Sequence, residues 1–108
     1  MAQFDVHESR GRNRSSIPYV VNVQSRRYDR LASRVVIPLM VARGALGSIE
    51  LSLMPGFEIG GQTVFLNPLE TQTVRLSGLG PVVASVSDDI SSMRIIAAID
   101  LVITHAYG

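Results

Sequence analysis

The 108-residue sequence contains no cysteine, no lysine and no tryptophan, and it has only two histidines. Without cysteine the chain has no disulfide, no thiolate metal site and no cysteine nucleophile. Its first residues lack the apolar segment of a signal peptide, and no apolar run approaches the ~18 residues that span a membrane. Hydrophobic residues make up 46% of the chain. We therefore expect a soluble, cytoplasmic protein with a packed core and no membrane partner.

The basic residues are all arginines, and most of them lie near the start of the chain. The first 34 residues carry a net charge of +4, whereas the remainder carries −3. The arginines of this first third are Arg10, Arg12, Arg14, Arg26, Arg27, Arg30 and Arg34. The asymmetry predicts a basic surface that attracts an acidic peptide or a nucleic acid. The nucleic-acid interpretation is only weakly supported, because only two aromatic residues, Tyr19 and Tyr28, lie among these arginines.

The chain offers few residues for covalent chemistry. His7 and His105 lie near opposite ends and share no metal-ligand spacing with acids, so the sequence predicts no metal site. The glycine pairs fit turns and not a phosphate loop, which requires a lysine. The one acid–base cluster is His7, Glu8, Arg10, Arg12 and Arg14. This cluster could cleave RNA by general acid–base chemistry, or it could be a solvated loop. We predict no catalytic residue and no cofactor.

Short apolar runs separated by polar loops predict several strands. The predicted strands cover residues 3–6, 19–24, 34–39, 49–54 and 74–79, and a hairpin at residues 57–66 turns at Gly60-Gly61. The polar segments 7–18 and 25–33 are expected to be exposed loops. Pro38 cannot donate to a strand ladder, so the sheet should end, bulge or have an edge there.

The last segment of the chain is the only one that predicts a long helix, over residues 87–107. Ser87 fits the N-cap, and Asp88 and Asp89 place negative charge at the positive end of the helix dipole. Ile96, Ile99 and Ile103 form an apolar stripe that is wider than one contact requires. We expect one side of the helix to pack on a sheet and the other to meet a partner subunit, and the alternative is that both sides are buried within one small domain. Strands followed by a helix indicate a single α+β domain over residues 1–108.

Several segments, taken in order, resemble the CcdB family of bacterial toxins. The matching residues are Val21, Val23-Gln24-Ser25, Val36-Ile37-Pro38-Leu39, Ala42-Arg43, Leu53, Pro55, Ile59-Gly60 and Ala98-Ile99-Asp100-Leu101. The resemblance covers nearly the whole chain. It implies a CcdB/MazF-like fold, in which an SH3-like, mostly antiparallel β-barrel or sheet is accompanied by a small second sheet and one long C-terminal helix.

The resemblance also implies a function that needs no catalysis. Members of the family are homodimers that bind the A subunit of DNA gyrase and trap its cleaved complex with DNA. A CcdA-like antitoxin with a disordered C-terminal segment wraps them and releases them from gyrase. DNA would then be contacted only indirectly, through gyrase or the antitoxin complex.

The correspondence assigns site residues to this chain. The expected gyrase contacts are Ser25, Arg27, Tyr28, Asp100, Thr104, His105, Ala106 and Tyr107. The family anchors this contact with a terminal tryptophan, which here falls on Thr104, and Tyr107 is a displaced aromatic candidate. On electrostatic grounds, we expect Arg43, Arg10, Arg12 and Arg14 to contact an acidic antitoxin segment.

Two other functions remain open at the level of the sequence. MazF/Kid-type ribonucleases share the expected fold, so fold alone does not exclude RNA cleavage. The match at Val23-Gln24-Ser25 and at Val36-Ile37-Pro38-Leu39 favours the gyrase branch. The third alternative is a degenerate CcdB-like protein that binds antitoxin but not gyrase.

Overall fold

The computed structural model describes residues 2–41 and 51–103. These residues form seven strands and one helix, and the α+β class is confirmed. The elements are β1 (Asp5–Glu8), β2 (Tyr19–Asn22), β3 (Ser33–Met40), β4 (Gly56–Ile59), β5 (Gln62–Leu66), β6 (Gln72–Arg75), β7 (Val82–Ser85) and α1 (Asp89–Ile103). Arg43 and residues 104–107, which were expected to bind antitoxin and gyrase respectively, lie outside the described residues.

The strands form a curled antiparallel half-barrel, which confirms the SH3-like architecture. The strand order is β4-β5-β3-β2-β1-β7, and β6 lies beside the first half of β3. All seven described strands are joined in this one sheet, so the expected small second sheet is not separate. The β4–β5 hairpin joins the sheet through only two residue pairs, Leu39 with Leu66 and Met40 with Phe65.

Pro38 lies where β3 changes its neighbour. On one side Pro38 pairs with Val20 of β2. On the other side β6 pairs with β3 as far as Val36, and β5 begins to pair at Leu39. The carbonyl of Pro38 accepts a hydrogen bond from the N–H of Asn67 on that second side. The N–H and C=O groups of one strand residue point to the same side of the strand. The N–H that Pro38 lacks would therefore point into the gap between the β6 and β5 pairings. The predicted break in the ladder at Pro38 is confirmed.

The core lies between one face of the sheet and the helix. Val21, Ile37 and Leu39 point into it and meet Ile95 and Ala98 of α1. Each of these side chains is at most 1% exposed. Side chains alternate along a strand, so the residues between them face the opposite side of the sheet, where a second surface is built.

Only one side of the wide apolar surface predicted for the helix is buried against the sheet. Ile95 and Ala98 are buried and Ile99 packs partly against the core, whereas Ile96 and Ile103 are exposed. The helix is apolar on more than one side, so its periodicity did not decide which side faces the sheet. Arg94 fixes the helix to β4, since its Nη2 donates to the carbonyl of Gly56 at 2.7 Å.

The helix begins one residue later than Ser87 would place it. Its N-cap is Asp88, whose carboxylate accepts from the N–H of Ser91 at 3.0 Å, so the assignment of Ser87 as the cap was wrong. The hydroxyl of Ser87 instead lies 2.9 Å from that of Ser85. Hydrogen bonds from the N–H and hydroxyl of Ser91 hold the pKa of Asp88 below its usual value.

Three strand assignments also need correction. Leu51–Met54, predicted as the end of a strand, form a turn and a bend, and Leu51 is largely exposed. The alternation of apolar residues in the sequence was therefore not sufficient to predict a strand over these four residues. β1 begins at Asp5 and continues through His7 and Glu8, which were assigned to a loop. β6 ends at Arg75, and residues 76–78 form a 3-10 turn where a strand was predicted.

Candidate functional site

A cleft of about 480 Å³ opens on the sheet face opposite the core. Its floor is apolar and includes Val20, Val36, Pro38, Val74 and Leu79. Charged residues stand around its mouth: Glu8, Arg10, Arg12, Arg14 and Glu70. We call this feature the arginine cleft. An apolar floor below a mainly cationic rim can take a segment that combines apolar side chains with carboxylates or phosphates.

The loop between β1 and β2 forms one wall of the arginine cleft. Its base is fixed by backbone hydrogen bonds from Ser9 N–H to Pro18 and from Val41 N–H to Ser16. Nearer the tip, the carbonyl of Asn13 accepts from the N–H groups of Ser16 and Ile17. The side chains of Arg10, Arg12 and Arg14 are exposed beyond these bonds. The loop therefore presents three cations from a base that is tied to Val41, the residue that follows β3.

Gly80 closes the opposite end of the arginine cleft by a very close backbone approach. A Cβ at this position would lie 2.2 Å from the carbonyl oxygen of Glu8. The neighbouring N–H of Glu8 donates to the carbonyl of Pro81 at 2.9 Å. Only glycine fits here, because any side chain would push β1 away from the segment before β7.

His7 does not belong to the arginine cleft, although Glu8 and the three arginines do. Its side chain is fully buried, and its Nδ1 lies 2.9 Å from the carbonyl oxygen of Gly80. Because a carbonyl only accepts, Nδ1 carries the proton in this bond. The expectation that His7 lies in an exposed loop was wrong, because it is a buried residue of β1. Its burial also keeps it from exchanging protons with a ligand at the mouth of the cleft.

A second arginine-bearing surface follows β2. Residues 25–31 form a turn, the 25–31 turn, with a short 3-10 segment at Arg26–Tyr28. The hydroxyl of Ser25 accepts from the N–H of Arg27 and caps this segment. Every residue of the turn is exposed, including Tyr28 at 51% and Leu31 at 54%. The turn thus projects an aromatic ring, an aliphatic side chain and three arginines from the end of the sheet.

Two side chains next to the turn hold its backbone. Arg34 is only 3% exposed, and its Nη2 donates to Asp29 while its Nη1 donates to Leu31 and Ser33. All three acceptors are backbone carbonyls, at 2.7–2.9 Å. Gln24 donates to the carbonyl of Tyr28 at 2.9 Å and accepts from the N–H of Val35 at 3.0 Å. We call Gln24 and Arg34 the clamp of the 25–31 turn.

The CcdB protein family model matches residues 3–105, which include both arginine-bearing surfaces and the helix. The chain belongs to the CcdB family. The family is one of toxins, and the recognition made from the sequence is confirmed.

A solved structure supports the fold of this CcdB-family chain. It is described as an endoribonuclease in complex with its cognate antitoxin from Mycobacterial species. The TM-score is 0.76, and the alignment covers 96% of this chain and 95% of that chain at 14% identity. At this identity the likeness concerns the fold alone. A search of curated proteins finds no match.

The structure brings together only part of the site residues that the CcdB resemblance assigns. Ser25, Arg27 and Tyr28 lie side by side in the 25–31 turn, and Asp100 lies on an exposed position of α1. Arg10, Arg12 and Arg14 share the rim of the arginine cleft. The remaining assigned residues, Arg43 and Thr104, His105, Ala106 and Tyr107, lie outside the described residues.

Sequence reasoning missed residues that the fold draws in from distant positions. Glu70 and Gln72 reach the arginine cleft because β6 pairs with β3, and no local pattern marked them. Gln24 was noticed only as part of a family match, and Arg34 only as one of seven arginines. An arginine at the start of an apolar strand could have signalled burial, because such a cation needs backbone or carboxylate partners.

The described residues contain no group of three or more His, Cys, Asp or Glu side chains that could hold a metal ion. In the same part of the chain, no helix is long and apolar enough to cross a membrane.

Proposed function

We propose that this chain is the toxin of a type II toxin–antitoxin system that binds the A subunit of DNA gyrase and traps the cleaved gyrase–DNA complex. The observation that carries this proposal is the CcdB family match over residues 3–105. It includes the exposed turn with Ser25, Arg27 and Tyr28 and the helix with Asp100, to which the resemblance assigns gyrase contacts. Binding at an exposed and preformed turn requires no catalytic group.

The test is a DNA-cleavage assay with gyrase from the source organism. Supercoiled plasmid is incubated with gyrase and either the full-length protein or a variant that lacks residues 104–108. We expect linear DNA only with the full-length protein, because these residues replace the terminal tryptophan of the family. No linear DNA from a folded full-length protein would contradict the proposal. Retained antitoxin binding would then identify a degenerate CcdB-like protein.

A CcdA-like antitoxin is the second proposed partner, and the arginine cleft is its proposed site together with Arg43. Its rim of Arg10, Arg12 and Arg14 suits an acidic segment, and its apolar floor suits the hydrophobic side chains of such a segment. The replacement of these three arginines by glutamine should weaken antitoxin binding. Unchanged affinity in a titration calorimetry experiment would contradict this site.

We also propose that the protein is a homodimer. The exposed side of α1 carries Met93, Ile96 and Ile103, which are between 56% and 68% exposed. These residues support a contact with a second subunit. The apolar strand at Val35 to Leu39 was also expected to supply surface for a dimer, but its side chains Val36, Ile37 and Leu39 are buried within the chain and support the proposal less than the helix does. Ile96→Glu should give a monomeric mass in light scattering, and Glu58→Gln, an exposed change on β4, should remain dimeric. A monomeric wild type would contradict the proposal.

RNA cleavage in the arginine cleft is the second candidate function. It is favoured by the juxtaposition of Glu8 and Glu70 with the three arginines, since carboxylates can act as general base and guanidinium groups can bind phosphate. The test is incubation with single-stranded RNA. Site-specific cuts that disappear with Glu8→Gln and with Arg12→Ala would establish this function and displace the gyrase proposal.

A further inference from the structure

We propose that the 25–31 turn is a preset cationic contact for an acidic protein surface, and that Gln24 and Arg34 are positioning residues that hold it in its binding conformation. This inference rests on the proposed gyrase function, and it specifies the chemistry that the turn requires of its target. The resemblance assigns contacts to this turn, but it places apolar residues where this chain has Arg27 and Tyr28.

The positive charge of the turn is exposed to solvent. Arg26, Arg27 and Arg30 lie within five residues, and Asp29 is the one acid among them, which gives residues 25–31 a net charge of +2. Within residues 2–41 and 51–103, none of the three arginines forms an ion pair. Exposed cations without ion-pair partners in this part of the chain are available to carboxylates on another molecule, where they guide association and register.

The backbone of the turn is fixed before any partner arrives. Within the turn, the N–H groups of Tyr28, Asp29 and Leu31 each donate to the carbonyl three residues earlier, at 3.0–3.2 Å. From outside, the clamp bonds the carbonyls of Tyr28, Asp29 and Leu31. A turn that is already ordered loses less conformational entropy on binding, so its contacts contribute more to affinity.

Arg34 is suited to this role by the geometry of its guanidinium group. Its two terminal nitrogens reach three carbonyls, those of Asp29, Leu31 and Ser33, whereas a lysine would have to reach them from a single nitrogen. Since all three acceptors are backbone oxygens, these bonds fix the conformation of the backbone and leave the side chains of the turn free to contact a target. Arg34 therefore acts on the target through the turn, and its own side chain is buried away from the surface.

The side chains between the arginines favour a protein over a nucleic acid. Tyr28 and Leu31 are about half exposed, and together with arginine they match the aromatic, aliphatic and cationic composition of energetically important protein contacts. Asp29 would be repelled by the closely spaced phosphates of a nucleic acid. Asp29 would be repelled less by a protein surface, which carries only a few separate carboxylates.

The first experiment measures affinity for the isolated gyrase A subunit as a function of salt. The variant carries Arg26→Gln, Arg27→Gln and Arg30→Gln, and the matched control carries Arg10→Gln, Arg12→Gln and Arg14→Gln, which lowers the net charge equally. We expect the affinity of the turn variant to be lower by at least about tenfold at low salt, and its affinity to depend less on salt concentration. The cleft variant should bind the gyrase subunit like the wild type.

The second experiment separates positioning from contact. Gln24→Met and Arg34→Lys leave the three exposed arginines in place. They should weaken binding while the salt dependence keeps its slope, and they should accelerate amide exchange at Tyr28, Asp29 and Leu31 but not in β2 or β3. A general loss of structure would instead accelerate exchange throughout and weaken antitoxin binding as well.

The outcomes distinguish the two proposals. Equal binding by the wild type and the turn variant overturns this inference and leaves the gyrase function standing. Unchanged exchange and unchanged binding in both clamp variants overturn the positioning role. If the wild type binds duplex DNA tightly and the turn variant does not, the turn is a nucleic-acid contact, and the proposal that it binds an acidic protein surface is overturned. A wild type that does not bind the gyrase subunit overturns the proposed function, and this inference with it.

Discussion

The two arginine-bearing surfaces each expose three arginines, but they differ in shape. The arginine cleft is concave, with an apolar floor on the sheet and two carboxylates beside its three arginines. The 25–31 turn is convex, with Tyr28 and Leu31 projecting between its arginines. A concave surface can enclose an extended segment, whereas a convex one can enter a recess on a folded partner. We therefore propose the cleft as the antitoxin site and the turn as the contact with the target.

The two surfaces also differ in how they are held. The loop of the cleft is tied by backbone hydrogen bonds at its base and at the carbonyl of Asn13, and its arginine side chains extend beyond these bonds. The 25–31 turn is held along its length by side chains that bond its carbonyls. Substitution of single side chains should consequently disturb the turn more than the cleft loop, and the following predictions test this difference.

The largest effect is expected for Arg34→Met. This change leaves carbonyls of the 25–31 turn without their donor and removes a buried guanidinium group. We expect a loss of about 2–4 kcal/mol in the free energy of unfolding, measured by urea denaturation. Arg30→Met, at an exposed position of the same turn, should change the stability by less than about 0.5 kcal/mol. Similar values for the two variants would show that the clamp does not hold the turn.

A medium effect is expected for Gly80→Ala at the wall of the arginine cleft. The new methyl group would meet the backbone of Glu8, which can move only if β1 separates from its neighbour. We expect a loss of about 1–3 kcal/mol and weaker antitoxin binding, with gyrase binding preserved. Gly78→Ala is the control, since a Cβ there meets nothing within 4 Å. Equal stability of both variants would contradict the close approach at Gly80.

The smallest effect is expected at Asp88, which lies in neither surface. Asp88→Ala removes the N-cap of α1 and should lower the thermal midpoint by a few degrees at neutral pH, with both binding activities unchanged. Since the pKa of Asp88 is lowered in the folded state, its contribution is present above the ordinary value of 3.8. The contribution is lost as the pH falls through the lowered folded value.

The difference in thermal midpoint between wild type and Asp88→Ala should therefore shrink in acid, measured by circular dichroism. Asp88→Asn keeps a neutral acceptor and should show no such pH dependence at this position. A difference that grows as the pH falls would contradict the lowered pKa.

Much of the fold could be predicted because its signals are local. The hairpin at Gly60-Gly61 was predicted from two glycines that both adopt positive φ angles, and the interruption at Pro38 from its missing donor. The turn at Leu51–Met54 and the buried side of α1 could not be predicted, since both depend on which apolar residues find a partner in space. The same limit applies to Arg34, whose partners become visible only when the turn is folded.

The candidate site divides in the same way. The clustering of Arg10, Arg12 and Arg14 was visible in the sequence because the three lie in one loop. Glu70 joins them only through the pairing of β6 with β3. His7 was assigned to a loop because the residues around the end of β1 are polar. Its burial accompanies the close approach of Gly80, whose carbonyl bonds to its Nδ1.

The most direct test of the account is gyrase-dependent DNA cleavage with three proteins: the wild type, the triple glutamine variant of the 25–31 turn and the triple glutamine variant of the arginine cleft. We expect linear DNA with the wild type and with the cleft variant, and little or none with the turn variant. If the turn variant traps cleaved DNA as well as the wild type does, the turn is not the surface that reaches gyrase. If the wild type traps none, the proposed target is wrong.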